Sequence, residues 1–509
     1  MAGSGCLGQL QPAAQRELAL RLASRHELRV DPPRNELGPE VPAHDPRLAF
    51  IGRSDEGPGP DGSLPTTRAL VWPGSEVRLQ FSGSAISVTL RSVGEVHLDL
   101  EVDGRPYLLS ARSDGEHRYA LLALPPGRHL LRLVKRTEAA AGVAELVAVQ
   151  PDADGSILAA PTLPSRHLEF LGDSMTVGAC AYDHGAERWD RRETHDHRAS
   201  FAARTAQRLA AQHQAIAVSG LGVSQSLVGL RAEQIFDRQR PDPQSRLATA
   251  YPAPDAVVVL LGHNDVLAAR RAGQPFPAQF TDDYVRLIRA IRQRYPTSLI
   301  VCTSGGMFHS QHSCRLRRAW AAAVQQLRQT DARIVAHRFQ SWSYLHPRAH
   351  THAQLADELT PLLARHLGWA AASEPAASPR ERPDRPDRSN DLLGHIKPRS
   401  HVINRAGHVR RRGQVGRRIG HVGCDGRRAQ AQAQRLALAT ADRHPVAGKA
   451  DDVVVLVQRA DLDVDRAAER VVELAKAHGK AHRIRQRRLR RLHRRGLGVL
   501  HHAVIDKHR

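Results

Sequence analysis

Two different hydrophobic periods divide the first 370 residues of the chain. Between about residues 45 and 150, apolar and polar positions alternate with a period of two, for example in Val77–Phe81, Ile86–Leu90 and Val96–Val102. This alternation is typical of strands that bury one face and expose the other. Short strands of this kind, separated by glycine- and proline-containing turns, predict an antiparallel β-sandwich with jelly-roll topology over residues 45–155.

The period changes after a polar, proline-containing linker at residues 156–165. Short apolar runs then alternate with longer stretches of helical period. Strands that alternate with helices indicate a mainly parallel sheet covered on both faces, so we predict an α/β domain over residues 166–370. The predicted strands are His167–Leu171, Ala215–Val218, Ala256–Leu261, Leu299–Cys302 and Arg333–Ala336, and the predicted helices are Ser200–Gln212, Asp282–Arg294, Arg315–Arg328 and His352–His366.

The end of the chain has a different composition. Residues 371–509 contain no Phe, Tyr, Trp or Met, and their 32 Lys+Arg against 15 Asp+Glu carry +17 of the net charge of +22. A segment without aromatic anchors has little from which to build a specific core, so we predict a disordered or non-native Arg-rich tail. Nucleic-acid binding through Arg483–Arg495 is a less favoured alternative, because this stretch lacks interleaved aromatic residues.

The start of the chain and its cysteines bear on the compartment. Residues 1–44, a predicted lead-in, show no basic segment followed by an apolar one, and no apolar run reaches the length of a membrane helix. A cytoplasmic location without membrane insertion is therefore the default expectation. The 5 cysteines are scattered without C-x-x-C spacing, which argues against a disulfide scaffold and against a cysteine zinc site.

A serine at the end of a predicted strand is the strongest candidate for chemistry. Ser174 closes the sequence FLGDS at residues 170–174, where its hydroxyl can project from the carboxyl edge of the sheet. Serine is a weak nucleophile and needs a base. His346, next to Pro347 just before the last predicted helix, lies where a loop can return it to the same edge.

Two further stretches could supply donors to an oxyanion. Asn264, in the sequence GHND at residues 262–265, follows a predicted strand and can aim its amide into the site. Ser219–Gly222 follows another strand and offers a backbone without obstructing side chains. We favour the backbone N–H of Gly220 over that of Gly222.

The order of these blocks resembles the SGNH (GDSL-type) hydrolases. The resemblance narrows to carbohydrate esterase family two, the acetylxylan esterase-like enzymes, through FIGR (50–53), VWPGS (71–75), VDG (102–104) and LVKRTE (133–138), with HLEFLGDSMTVG and HPRAHTHAQLADEL further on. It covers about residues 45–368. It implies a flavodoxin-like three-layer SGNH domain preceded by a jelly roll, and the removal of O-acetyl groups from carbohydrate.

The resemblance also implies roles for individual residues. Carried over by position, Ser174 is the nucleophile, His346 is the general base, and the oxyanion donors are the Ser174 N–H, Gly220 and Asn264. No metal or organic cofactor is implied, and the family suggests export toward polysaccharide. One position departs from the superfamily, which places an Asp three residues before the histidine, where this chain has Ser343. Some family members use a Ser–His dyad with the ring oriented by a backbone carbonyl, and we expect this arrangement here.

Aromatic residues near the histidine are candidates for sugar binding. Trp342 and Tyr344 precede His346 and could form a stacking platform, and His263 either packs or lines the substrate site. We assign Trp72 to the sandwich core, and Trp189 is a further aromatic candidate.

Two other classes of function compete with the esterase. One is a metal site, since His195/His197, His309/His312/Cys314 and His346/His350/His352 have ligand-like spacing, although such groupings arise by chance in a chain with 29 histidines. The other is a catalytically weak carbohydrate-binding protein on an SGNH scaffold, a hypothesis that depends on Ser343. Neither the sugar nor the oligomeric state follows from the sequence.

Overall fold

The computed structural model describes residues 27–33, 37–57, 67–242, 244–245 and 252–370. The predicted tail at 371–509 and much of the predicted lead-in lie outside the described residues. All of the described residues belong to one compact unit within Met1–Pro383. In these described stretches, no helix combines the length and the apolar character needed to cross a membrane.

Thirteen strands form the first half of the described chain, in two antiparallel sheets. One sheet has the order β1-β10-β7-β12-β5-β4 with β2 beside β12, and the other has the order β13-β6-β11-β8-β9 with β3 beside β6. The strands are β1 (Arg29–Val30), β2 (Val41–Pro42), β3 (Ala49–Ile51), β4 (Ser54–Gly57), β5 (Thr67–Leu70), β6 (Glu76–Gly83), β7 (Ile86–Gly94), β8 (Val96–Val102), β9 (Arg105–Ala111), β10 (Glu116–Leu121), β11 (Gly127–Lys135), β12 (Gly142–Pro151) and β13 (Ser156–Ile157).

The alternating apolar positions of these strands meet in one core between the two sheets. Val77 and Leu79 of β6 face Val88 and Leu90 of β7 within it, all almost completely buried. The predicted strands are therefore confirmed, but the expected exposed face is wrong for β7 and β8, because their polar residues Thr89, Asp99 and Glu101 are buried as well. The sheets also reach beyond the alternating region, because β1 and β2 lie in the predicted lead-in and β13 lies in the predicted linker.

The second half is a five-stranded parallel sheet with the order β15-β14-β16-β17-β18. Because the order reverses at β14, the carboxyl ends of β14 and β16 flank a crevice of the kind in which open α/β sheets place their sites. The strands are β14 (His167–Gly172), β15 (Gln212–Ala217), β16 (Ala256–Leu260), β17 (Leu299–Met307) and β18 (Ile334–Ser343). The helices are α1 (Ser174–Val177), α2 (Phe201–Arg208), α3 (Ala232–Ile235), α4 (His263–Arg271), α5 (Phe280–Arg294), α6 (Phe308–His312), α7 (Cys314–Arg328) and α8 (Ala349–Leu367), with 3₁₀ turns at Arg192–Thr194 and His197–Ala199.

The apolar run of β16 shows why the parallel sheet was predictable. Val257 and Val259 pack into the core on one face of the sheet, and Val258 and Leu260 pack into the core on the other face. A strand covered by helices on both sides needs no polar positions. The structure extends β18 to Ser343, well beyond the predicted strand, because β17 and β18 resume pairing after a register shift.

The antiparallel and parallel halves share a buried boundary. Trp72 belongs to the core that also holds Leu171 of the parallel sheet, and its indole Nε1 donates to the carbonyl of Gln239 at 2.8 Å. The prediction that Trp72 lies in the sandwich core is therefore corrected. Arg53, which is fully buried, donates across the same boundary to Oε2 of Glu169 at 3.0 Å. The two halves are thus joined by apolar packing and by a buried ion pair.

Candidate active site

Ser174 is presented by a tight turn at the carboxyl end of β14. It is the first residue of α1, and the preceding Asp173 caps this helix by accepting a hydrogen bond from the Met175 N–H at 3.0 Å. A Cβ on Gly172 would lie 2.0 Å from Oγ1 of Thr176, so only glycine permits this close approach. Asp173 therefore holds the turn that presents Ser174.

His346 contacts Ser174 although 172 positions separate the two residues in the sequence. It lies between β18 and α8, and its Nε2 is 2.7 Å from Oγ of Ser174. The buried guanidinium of Arg348 fixes this connection by donating to the carbonyls of Cys180 and Gly185, each at 2.9 Å. The structure therefore brings together the two residues that the sequence paired.

The other ring nitrogen of His346 meets a carboxylate that the sequence analysis missed. Oε1 of Glu187 lies 2.7 Å from Nδ1 of His346 and accepts the backbone N–H of the same residue at 2.7 Å. Burial alone would raise the pKa of Glu187, but the hydrogen bonds from His346 and the charge of Arg348 hold it at about 2. An ionised carboxylate only accepts, so Nδ1 carries the proton and Nε2 is free to accept one from the serine.

This contact corrects the expected orientation of the ring by a backbone carbonyl. Ser343, at the position of the superfamily Asp, donates its hydroxyl to the carbonyl of Leu345. Glu187 comes instead from the loop after α1, 159 residues before the histidine. No motif or spacing rule connects a residue in that loop to His346, so the sequence carried no signal for it.

The candidate oxyanion donors lie on two loops at the same sheet edge. Within the described part of the chain, the backbone N–H groups of Ser174 and Gly220 donate to no other atom. Gly220 has a φ of +88°, in the left-handed region that favours glycine. By contrast, the Gly222 N–H donates to Oγ of Ser226 at 2.8 Å.

Asn264 is buried and uses its amide inside the protein. Its Nδ2 donates to Oδ2 of Asp173 at 3.1 Å and to the carbonyl of Leu221 at 2.9 Å. The next residue, Asp265, accepts from the backbone N–H groups of Val223, Ser224 and Gln225 and so fixes the loop after Gly222, with N···O distances of 2.9, 2.6 and 2.9 Å. The sequence GHND at residues 262–265 therefore joins the turn that presents Ser174 to the loop that follows Gly222.

The aromatic residues divide into two groups around the site. Trp342 and Tyr344 pack on the ring of Phe308, with centroid distances of 5.9 and 4.8 Å, and Tyr344 remains 61% exposed. Trp189 lies closer to the chemistry, since its ring meets the His346 ring edge-to-face at 5.1 Å. Trp189 is thus the aromatic residue in direct contact with the histidine.

His263 is more deeply buried than a substrate-lining residue would be. It is 5% exposed, and its ring lies 5.9 Å from that of His309. Burial, together with the nearby His346 and His309, lowers its pKa to about 3, so the ring is neutral. These observations favour the packing interpretation of His263.

The histidine groupings considered as metal sites do not form ligand clusters of three. Among the described residues, the groups with ligand atoms within 4.8 Å of one another are Cys180/Glu187/His346 and Glu95/His97/Glu193. The first uses the atoms that already join His346 to Glu187. The second includes the largely exposed Glu95. We therefore derive no chemical step from a metal.

Buried histidines beside the site should make the fold sensitive to acid. Burial lowers the pKa of His195 and of His197 to about 4, and that of His263 to about 3. In the unfolded chain these histidines have a pKa of about 6.5, so they bind protons at pH values at which the buried histidines of the folded chain stay neutral. The free energy of unfolding should therefore fall as the pH is lowered from about 6.5 to about 4. Asp173, whose pKa is raised to about 6 by burial, and Asp265, whose pKa burial also raises, oppose this trend. They are outnumbered, because burial also lowers the pKa of His213, to about 3, and that of His352.

Urea unfolding midpoints at pH values of about 7.5 and 4.5 test this expectation. The His197→Asn variant keeps an N–H donor near the position of Nδ1, which contacts the carbonyl of Thr176 at 2.9 Å, and should show a shallower pH dependence. Replacing the exposed His366 by Gln should leave the dependence as in the wild type. A midpoint that rises on acidification would contradict the argument.

The fold and the site together define a class of protein. A parallel sheet of this order, with a serine at its switch point in contact with a histidine from before the last helix, is that of an SGNH hydrolase. Residues 170–362 match the GDSL-like Lipase/Acylhydrolase family, and residues 60–161 match the Carbohydrate esterase 2 N-terminal family. The resemblance inferred from the sequence is confirmed: the chain combines the N-terminal domain of carbohydrate esterase family two with a GDSL-like hydrolase domain.

Known carbohydrate esterases are similar to this chain. The chain is 31% identical over 342 residues to the cellulase/esterase CelE of Acetivibrio thermocellus, covering 64% of this chain but only 40% of CelE. It is 27% identical over 350 residues to an acetylxylan esterase / glucomannan deacetylase of Cellvibrio japonicus, covering 65% of this chain and 91% of that protein. Its structure is similar to that of a family two carbohydrate esterase from Clostridium thermocellum in complex with cellohexaose, with a TM-score of 0.58 and 29% identity, covering 64% of this chain and 100% of that one.

Proposed function

We propose that the protein is a serine esterase that removes O-acetyl groups from carbohydrate. The observation that carries the proposal is the continuous contact from Ser174 through His346 to Glu187, with both hydrogen-bond distances at 2.7 Å. A nucleophile within hydrogen-bond reach of a base, which is itself oriented by a third group, is the arrangement that acyl transfer requires. The named activities of the relatives supply the substrate class.

Acylation would begin at the acetyl carbonyl carbon. Oγ of Ser174 attacks this carbon while its proton passes to Nε2 of His346, and the ionised Glu187 stabilises the resulting imidazolium through Nδ1. The carbonyl oxygen becomes an oxyanion. Collapse of the tetrahedral intermediate breaks the bond to the sugar oxygen, which takes the proton from Nε2 and leaves as a hydroxyl. The product at this stage is the deacetylated sugar together with acetylated Ser174.

Deacylation would repeat these steps with water. His346 accepts a proton from the water as its oxygen attacks the acetyl-serine carbonyl. The second intermediate returns the proton to Oγ of Ser174 and releases acetic acid, which ionises to acetate by losing its proton to solvent. The cycle consumes one water molecule for each ester and needs no oxidant, reductant or resident cofactor.

The backbone N–H groups of Ser174 and Gly220 are the proposed principal oxyanion donors. Both lack a partner within the described residues, whereas Gly222 already donates to Ser226. Asn264 is the proposed third donor, and one of its two amide hydrogens would have to turn from Asp173 or Leu221 toward the substrate. Preorganised donors of this kind typically stabilise such transition states by about 3 kcal/mol each.

Trp342 and Tyr344 are proposed to contact the sugar. Together with Phe308 they form an aromatic surface, and the exposed Tyr344 ring offers both an apolar face and a hydroxyl. His263, also a candidate from the sequence, has little exposed surface to offer. The C. thermocellum relative in complex with cellohexaose supports a β-linked glucan or a similar chain as the kind of ligand to test.

A catalytically weak carbohydrate-binding protein is the second candidate function. This hypothesis depended on the absence of an Asp at the position of Ser343, but Glu187 supplies a carboxylate to Nδ1 of His346 instead.

We also propose that the antiparallel sheets form a jelly roll over residues 45–155, linked through residues 156–165 to the hydrolase domain at 166–370. The proposed substrate requires no role for the basic tail at 371–509.

Pre-steady-state kinetics and active-site labelling test the proposal. With p-nitrophenyl acetate, we expect a burst of p-nitrophenol equivalent to the enzyme concentration if deacylation is slower than acylation, and a fluorophosphonate should label Ser174, as located by peptide mass analysis. Release of acetate from acetylated xylan or glucomannan tests the carbohydrate assignment. Binding of these polymers without acetate release, and without labelling of Ser174, would favour the binding protein.

A further inference from the structure

We propose that Glu138, in the N-terminal sheet domain, is a positioning residue for the active site of the hydrolase domain. The inference rests on the proposed esterase function and extends it, because it makes the N-terminal domain part of the catalytic apparatus. Glu138 lies just after β11, in the sequence Lys135–Glu138. Its carboxylate touches the two loops of the hydrolase domain on which the proposed oxyanion site and the orientation of His346 depend.

The two oxygens of Glu138 are divided between these loops. Oε1 accepts from Nη1 of Arg192 at 2.7 Å, and Oε2 accepts from the backbone N–H of Ser219 at 2.7 Å. The carboxylate is 3% exposed, so its two oxygens are shielded from bulk solvent, whereas the Arg192 side chain is 25% exposed. A buried charge-assisted hydrogen bond is stronger and more directional than an exposed one.

The contact with Ser219 bears on the proposed oxyanion donor. Ser219 directly precedes Gly220, whose own carbonyl is held by the Leu227 N–H at 2.9 Å. Glu138 therefore fixes the peptide that precedes Ser219, Leu227 fixes the peptide that follows Gly220, and the peptide that carries the Gly220 N–H lies between these two. With both sides held, the Gly220 N–H keeps one direction, which is the condition for electrostatic preorganisation.

The contact with Arg192 bears on the histidine. The Arg192 guanidinium lies 5.8 Å from the centroid of the Trp189 ring, and that ring meets the ring of His346 at 5.1 Å. The same loop carries Glu187, the residue that orients His346. Glu138 thus holds the loop that contacts the histidine ring through both Glu187 and Trp189.

A second residue of the N-terminal domain anchors the same loop. The fully buried guanidinium of Arg136 donates to the carbonyl of Glu193 at 3.1 Å and pairs with Oδ2 of Asp196 at 3.1 Å. Its position is set by Asp99 of β8, at 2.9 Å. The loop is therefore fixed to the antiparallel sheet at successive points, which supports a positioning role for the whole Lys135–Glu138 segment.

Only a carboxylate can make both contacts of Glu138. The two groups that face it, the Ser219 N–H and the Arg192 guanidinium, are both donors. A glutamine in its place can accept from one of them, but its NH₂ group must then face the other donor. The Glu138→Gln variant therefore keeps the size of the side chain and displaces one of the two loops.

The test compares Glu138→Gln with Glu101→Gln in the full-length protein. Glu101 is also a buried carboxylate of the N-terminal domain that pairs across the boundary, with Arg198 at 2.5 Å, but Arg198 lies in the 3₁₀ turn next to α2, and Glu101 contacts neither Ser219 nor Arg192. We expect both variants to lower the melting temperature. Only Glu138→Gln should lower kcat for p-nitrophenyl acetate, by about 10- to 100-fold with KM changed less, as for a displacement of reacting groups.

A second variant approaches the contact from the other side. Arg192→Met removes the partner of Oε1, so it should reproduce part of the loss in kcat, and the double variant should lose less than the product of the two single effects. Equal kcat values for Glu138→Gln, Glu101→Gln and the wild type would overturn the inference while leaving the esterase intact. A wild type that is inactive on every acetyl ester would instead refute the proposed function.

In that case the inference is still testable without turnover. A histidine Nδ1–H bonded to a carboxylate gives a low-field proton resonance, here that of His346 with Glu187. We expect this resonance to shift or broaden in Glu138→Gln and to remain unchanged in Glu101→Gln. An unchanged resonance in both variants would overturn the inference.

Discussion

Replacing Ser174 by alanine should lower kcat for p-nitrophenyl acetate by about 10⁴-fold or more. The hydroxyl lies 2.7 Å from Nε2 of His346 and is the only group in this proposed mechanism that forms the covalent intermediate. The residual rate would come from water held near the remaining donors. The burst and the fluorophosphonate labelling should both disappear, whereas the melting temperature should change little, because the variant removes a single oxygen atom.

The matched control is Ser92→Ala. Ser92 is a buried serine in β7 of the antiparallel sheets, 4% exposed, so its loss tests the effect of removing a buried hydroxyl far along the chain from the site. We expect wild-type kcat and wild-type labelling for it. Equal activity of Ser174→Ala and the wild type would rule out the nucleophile and, with it, the acyl-enzyme mechanism.

The second large effect is expected for Glu187→Gln. The amide oxygen of Gln can still accept a hydrogen bond from Nδ1–H, but it has no charge with which to stabilise the imidazolium that forms when Ser174 attacks. The analogous Asp-to-Asn change in serine proteases costs about 10⁴-fold, because the amide also favours the wrong histidine tautomer, and we expect a fall in kcat of at least about 10²-fold here. KM should change less, because Glu187 interacts with the histidine and not with the substrate in the proposed mechanism.

Asp190→Asn provides the control on the same loop. Asp190 is a carboxylate three residues further along that pairs with Arg188 at the surface, at 2.8 Å. Its removal should leave kcat unchanged, which separates a specific effect on His346 from a general loosening of the loop. If Glu187→Gln matched Asp190→Asn in kcat, the protein would work as the Ser–His dyad that the sequence suggested, with Glu187 as a bystander.

These two variants also separate the two candidate functions. An esterase predicts a large loss in both, together with unchanged binding of the polysaccharide. A binding protein with an incidental serine predicts that neither variant alters the affinity for the polysaccharide and that the wild type releases no acetate. Measuring acetate release and polymer binding on the same preparations therefore decides between them.

Much of the fold could be predicted from the sequence, because buried residues recur with the period of the strand or helix that contains them. The alternation in β6 predicted a strand with one buried face, and the unbroken apolar run of β16 predicted a strand covered on both sides. The boundary between the antiparallel and parallel halves could not be predicted in this way. Trp72 reads as an ordinary core residue, and only the tertiary structure shows that the core it joins is shared with the parallel sheet.

The residues of the candidate site also fall into those that the sequence predicted and those that only the structure revealed. The sequence by itself determined Ser174, His346, Gly220 and Asn264 as candidates, because each lies next to the end of a predicted strand or the start of the last helix, where local pattern and block order suffice. The tertiary structure alone brought in Glu187, which lies in a loop of no recognisable pattern, gave a role to Glu138 at the end of the LVKRTE block, and set His263 in the interior. The physical reason is that a hydrogen bond between residues far apart in the sequence imposes no hydrophobic period on either segment. Which residues form it depends on how the strands, helices and loops pack in the folded protein.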